Sequence, residues 1–81
     1  MNNNVRGERD SPQSKIGRVT GRIAQGEIGE VIVEIRGGSE AFLAQAFDKQ
    51  NTYERGDIVR IIQYHPPRSV IVAKISEEKT L

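Results

Sequence analysis

Residues 16–38 read IGRVTGRIAQGEIGEVIVEIRGG, and their alternation decides the fold. In 16–24 the odd positions Gly17, Val19, Gly21 and Ile23 are small or apolar, while Arg18, Thr20 and Arg22 are polar. That is the period-two signature of a half-buried β-strand. In 28–36 the odd positions again hold the inward set, Gly29, Val31, Val33 and Ile35, against Glu30, Glu34 and Arg36. Ile32 is a lone aliphatic among those charges. Directly opposed residues share a face, so their numbers sum to an even total and the loop between them holds an odd number of residues. Gln25-Gly26-Glu27 fits as a three-residue turn, with Gly26 able to take the left-handed backbone.

The register that follows sets Val19 opposite Val33 and Gly21 opposite Val31 inside. Outside, it sets Arg18 opposite Glu34 and Arg22 opposite Glu30. Opposite charges across a ladder contribute roughly 0.2–1 kcal/mol each, so the arginines are read as cross-strand partners ahead of a ligand-binding stripe. Gly21, inside a strand, is expected to mark a coiling point. It is read as structural, as are Gly26, Gly29 and Gly56.

The rest of the chain reads as strands wrapped onto this hairpin. Gly37-Gly38-Ser39 is a predicted turn. Residues 41–47 form a third strand with Phe42, Ala44 and Ala46 on one face and Leu43 on the other, Phe42 being the buried side. Residues 48–57 are a polar connection too poor in apolar periodicity for a helix, with Tyr53 plugging one end of the core and Arg55-Gly56-Asp57 turning into the next strand. Strands four, 58–64, and five, 69–75, are apolar on both faces. Pro66-Pro67 cannot donate ladder hydrogen bonds and must lie in the loop between them. Five short strands without a helix suggest a small closed barrel, which removes exposed sheet edges. An SH3-like barrel competes with an OB-like one on strand count alone.

Bulk properties narrow the function. A chain of 81 residues is one domain, and without staples its core supplies roughly 3–5 kcal/mol of net stability. Cysteine is absent, so no disulfide or thiolate metal site contributes. A net charge of +1 leaves no strong footprint for nucleic acid or anionic membrane. No run approaches the ~20 apolar residues of a membrane span, and the first residues lack the apolar centre of a signal peptide. Residues 1–15 are read as a disordered tail or linker, 16–75 as the barrel, and 76–81 as a C-terminal tail.

No catalytic constellation emerges. His65 reads as an exposed loop histidine, and no His/Cys/Asp/Glu spacing marks a metal site. Gly21 and Gly26 have P-loop spacing, but Glu27-Ile28 stands where Lys-Ser/Thr is required. Neither cofactor nor metal is expected. Single-stranded nucleic acid needs a basic groove with stacking aromatics, and Arg60, Tyr64, Arg68 and Lys74 are the best remnant of one. A protein partner rests on a different feature: Ile32 among charges, with Ile62 and neighbours on the doubly apolar last strands, forms a surplus aliphatic patch.

The order of motifs resembles the C-terminal soluble domain of the NfeD family. The counterparts are Gly26-Glu27-Ile28-Gly29-Glu30-Val31, Gly37-Gly38, Phe42-Leu43-Ala44, Arg55-Gly56-Asp57-Ile58-Val59-Arg60-Ile61 and Val70-Ile71-Val72. The resemblance implies a five-stranded Greek-key OB-fold barrel without the usual helix between strands three and four. It also implies a non-enzymatic adaptor that works with stomatin- or flotillin-like membrane scaffolds or in membrane protease regulation. Such domains are normally attached to transmembrane helices, so this chain is expected to be a soluble excerpt or a member without its anchor, cytoplasmic or tethered at a membrane. The segment Tyr64-His65-Pro66-Pro67-Arg68 replaces the family's more usual glycine-bearing hairpin.

Overall fold

A computed structural model describes residues 11–75. Of the tail or linker expected over 1–15, residues 1–10 fall outside the described residues, as does the tail expected over 76–81. Five strands follow one another: β1 (Ile16–Gly21), β2 (Gly29–Ile35), β3 (Gly38–Ala46), β4 (Ile58–His65) and β5 (Ser69–Lys74). They close into a barrel in the order β1-β2-β3-β5-β4. β3 and β5 run parallel, while every other neighbouring pair is antiparallel. A meander barrel would leave all neighbours antiparallel. The parallel pair therefore settles the choice between the two barrels in favour of the OB-fold. No helix stands between β3 and β4.

The barrel interior is filled by the side chains that the alternation turns inward. Val19, Val31, Val33, Phe42, Ala44, Val59, Ile61, Val70 and Val72 are all buried, with Ile23, Ala46 and Tyr53 buried toward the end where β2 begins. No polar or charged residue is buried among the described residues. Contacts begin upstream of β1. Pro12 is fully buried, the Ser14 amide donates to the Ile61 carbonyl (2.8 Å), and the Ile61 amide donates to the Lys15 carbonyl (2.8 Å).

The first hairpin departs from the predicted register. Gly17 faces Val33, Arg18 faces Ile32 and Val19 faces Val31. A bulge follows, so that Thr20 and Gly21 together oppose Glu30. The pairs Val19–Val33, Gly21–Val31, Arg18–Glu34 and Arg22–Glu30 are therefore not formed. Ladder pairing stops at Gly21, and the chain swings out through 22–28, where the Glu27 amide donates to the Ala24 carbonyl (3.0 Å) around Gly26 at φ +69°. Ile23 instead forms an antiparallel bridge with Tyr53, each amide donating to the other's carbonyl at 2.9 Å.

Magnitudes explain the choice. Two exposed charge pairs contribute at most about 2 kcal/mol together. Burying Ile23 alone contributes about 1.5–3 kcal/mol, and the same shift buries Tyr53 as well. A shift of two residues also keeps every side chain on its face, which is why the alternation located the core despite the wrong register.

Gly29 makes this crossing possible. A Cβ there would overlap the carbonyl oxygens of Gly21 and Arg22 and lie 2.7 Å from the Arg22 carbonyl carbon. No side chain fits where β1 leaves β2. The second hairpin turns one residue earlier than expected. Ile35 pairs with Gly38, and Arg36 and Gly37 both have positive φ (51° and 80°), the signature of a two-residue type I′ turn.

Candidate partner-binding surface

With the interior packed, binding falls to the outside of the barrel. β3 organises one apolar surface. Its inward positions are Phe42, Ala44 and Ala46, so Leu43 and Gln45 point outward and Phe47 follows them at the strand end. Leu43 is 50% exposed and Phe47 66%. On the β2 side Leu43 faces Glu30, and Ile28, 60% exposed, precedes Gly29. On the β5 side Gln45 faces Ile71. The outcome is a strip of Ile28, Leu43, Phe47 and Ile71 around Gln45.

A second row crosses the opposite part of the sheet. Arg18 on β1 faces Ile32 on β2 and Ile58 on β4. Ile58 is half exposed and Ile32 partly buried. The structure does not bring Ile32 and Ile62 into one patch, because β2 and β4 are not neighbours. Ile62 sits in a bulge of β4, where it and Gln63 together oppose Ile71. It therefore borders the β3-centred strip, while Ile32 belongs to the Arg18 row.

That β4 bulge also corrects Tyr64. Past the extra residue the alternation flips, and Tyr64 opposes Val70 on the inner face. Its ring meets Phe42 edge-to-face at 6.0 Å, and its hydroxyl donates to the Pro67 carbonyl (3.2 Å). It is no exposed stacking platform. The basic residues grouped with it are scattered. Arg60 donates to the Ser14 carbonyl (3.2 Å), near the start of β4. Arg68, beyond the other end of β4, donates to the Ala41 carbonyl (2.9 Å). Lys74 pairs with Val59 in the ladder.

An OB barrel commonly binds oligonucleotides on the outer face of strands two and three. Here that face carries Glu30, Ile32, Glu34 and Leu43, which is aliphatic and acidic. Phe47 at the end of β3 is the one exposed ring beside it among the described residues, too little for successive bases to stack on, and the carboxylates of that face repel a phosphate backbone.

The other polar groups are accounted for locally. Arg22 pairs with Glu54 at 3.1 Å in place of Glu30, and Glu30 accepts the Thr20 hydroxyl at 2.6 Å. His65 lies exposed, its Nε2 3.1 Å from Gln63 Oε1. Among the described residues no three His, Cys, Asp or Glu side chains gather as a metal site. The Tyr53 hydroxyl is buried without a partner in hydrogen-bonding geometry. Burial pushes its pKa above the ordinary phenol value, outweighing Asn51 and the Lys74 backbone, which lie close enough to favour the phenolate. The signal for the β3 strip was present in the sequence: Leu43 and Phe47 alternate out of phase with Phe42, Ala44 and Ala46. The doubly apolar last strands masked it.

Among the described residues no helix is long and apolar enough to cross a membrane. The barrel is similar to the soluble domain of the NfeD protein YuaF from Bacillus subtilis, with a TM-score of 0.73 and 20% sequence identity, over 91% of this chain and 86% of that one. It is also similar to the soluble domain of a membrane protein implicated in regulation of membrane protease activity from Corynebacterium glutamicum, with a TM-score of 0.60 and 22% identity, over 82% of this chain and 100% of that one. No curated protein matches the sequence. The family model of the NfeD C-terminal domain matches residues 16–73, from the first strand into the last, and the chain belongs to that family.

Proposed function

We propose that this chain is a non-enzymatic adaptor that docks a protein at a membrane through the outer face of β3. The observation that carries this reading is the strip of Ile28, Leu43, Phe47 and Ile71 on a barrel whose core is complete without it. Large side chains left outside a finished core are a standing cost in water unless a partner covers them. Regulation of a membrane protease, implicated for the Corynebacterium glutamicum relative, supports a membrane setting. The partner is a stomatin- or flotillin-like scaffold. The domain reaches the membrane through that partner or through an anchor.

The test is co-purification with a stomatin- or flotillin-type protein encoded in the source genome. Leu43→Lys with Phe47→Lys replaces exposed side chains, so urea unfolding stays at the wild-type midpoint while capture of the scaffold is lost. Undiminished capture by the double variant sinks the docking face. Saturable binding of single-stranded oligonucleotide, weakening steeply with salt, sinks the adaptor reading itself.

A further inference from the structure

We infer that the groove beside Arg18 grips a carboxylate carried on a helix of a protein partner. This deepens the adaptor reading and rests on it. The groove is shallow, about 420 Å³, and is lined by Arg18, Val19, Thr20, Arg55 and Gly56. Two guanidiniums border it. Arg55 is held over β1 by its Nε–H, which donates to the Thr20 carbonyl (3.2 Å). That uses one of its five donors. The Arg18 side chain makes no hydrogen bond or ion pair among the described residues; the register that would have given it Glu34 is not the one the barrel adopts.

The carboxylates around the groove already have donors. Glu30 accepts the Thr20 hydroxyl, Glu54 accepts Arg22, and Asp57 accepts the Glu54 amide (2.9 Å). Each of these carboxylates is engaged away from Arg18, which leaves the Arg18 fork and the remaining Arg55 donors uncommitted, and a carboxylate is the group that guanidinium forks bind in bidentate geometry.

The neighbours of Arg18 define what carries that carboxylate. Ile32 and Ile58 face Arg18 from the two adjoining strands. Strands lie about 4.8 Å apart, so the backbones of the two isoleucines are about 10 Å from each other with that of Arg18 midway. An α-helix rises about 10.5 Å between i and i+7, with i+4 between them on the same face. A helix with aliphatic residues at i and i+7 and Glu at i+4 therefore covers both isoleucines and sets its carboxylate over Arg18. A phospholipid headgroup offers the charge alone and leaves the isoleucines uncovered.

The test titrates the ¹⁵N-labelled chain with a synthetic Ala/Gln-based helical peptide carrying Leu at i and i+7 and Glu at i+4. The amides of 17–20 and 55–57 shift saturably. Arg18→Ala weakens binding about tenfold, the scale of one lost charge-assisted hydrogen bond, and Arg55→Ala acts in the same direction. The matching peptide with Gln at i+4 also binds about tenfold more weakly. Absence of saturable shifts at millimolar peptide overturns the inference. So does equal binding of the Gln peptide, or Arg18-dependent binding to phosphatidylglycerol vesicles without peptide binding. Scaffold capture separates the two readings: if Arg18→Ala with Arg55→Ala captures the scaffold normally while Leu43→Lys with Phe47→Lys does not, the groove fails and the adaptor stands.

Discussion

Replacing Gly29 with alanine tests the crossing of β1 over β2 directly. The added Cβ collides with the carbonyl oxygens of Gly21 and Arg22, which are backbone atoms with no rotamer to move aside. Relief requires β1 to lift from β2. Overpacking of this kind costs about 1–3 kcal/mol. Loosening the Gly21–Glu30 pairing adds roughly 1 kcal/mol for a ladder hydrogen bond. The sum is about 3 kcal/mol, against the roughly 3–5 kcal/mol that a small core supplies. At about 4–8 °C per kcal/mol the melting temperature falls by about 12–24 °C.

Two controls calibrate the measurement. Gly26 has φ +69° and open space around it, so Gly26→Ala carries only the left-handed penalty of about 1–2 kcal/mol. At Gly38 an added Cβ would meet nothing closer than the Ile35 carbonyl oxygen at 3.9 Å, and φ is not positive. Gly38→Ala therefore leaves stability unchanged or raises it by up to about 1 kcal/mol. Urea titration followed by circular dichroism ranks the three. A Gly29→Ala midpoint no lower than that of Gly26→Ala would refute the crossing and restore the longer hairpin.

Tyr53 gives the chain an alkaline limit. Its folded pKa lies above the unfolded value of 10.0, so this contribution is whole below pH 10 and declines as pH rises from there toward the folded pKa, because the unfolded chain releases the proton first. Tyr53→Phe removes that part of the decline. Near neutral pH it changes stability by less than about 1 kcal/mol, since the hydroxyl has no well-formed hydrogen bond to lose; urea midpoints at pH 7 and 11 check both statements. Ile61, fully buried, tests the core: Ile61→Val lowers stability by about 0.5–1.5 kcal/mol and Ile61→Ala by about 2–5 kcal/mol, read from the same titrations, and equal losses would contradict tight packing there.

Alternation was enough to place the core of the first three strands. Val19, Val31, Val33 and Phe42 lie where a period of two puts them, and Tyr53 stands out as the one large side chain in a polar loop, whereas the doubly apolar last strands left the inward face of Val59 and Val72 undecided. Register was not legible in the same way. Shifts of two residues preserve every face, so only the competition between weak charge pairs and the burial of Ile23 against Tyr53 decides, and that contact joins loops 30 residues apart in sequence. Bulges were equally hidden. One extra residue at Ile62 reverses the faces beyond it, turning Tyr64 inward and leaving Ile62 beside Ile71. The expected surface changed at these same points, since Tyr64 was placed by an uninterrupted fourth strand and Arg18 by the longer hairpin's register.

The barrel's seams also set an order in time. The β2–β3 and β4–β5 ladders join near neighbours in the chain, across Arg36-Gly37 and across 66–68. Closure instead needs Ile16 to find Arg60 and β3 to find β5 in parallel. Contacts so distant in sequence form only after their loop entropy has been overcome, which places such a domain among the slower folders, in milliseconds to seconds. Defects in the Arg36-Gly37 turn therefore retard folding, whereas defects along the β1–β4 seam chiefly hasten unfolding. The seam whose partners lie furthest apart in sequence is also the one that carries Arg18 and Ile58, so a partner seated there would act as a clasp on the kinetic lifetime of the folded barrel.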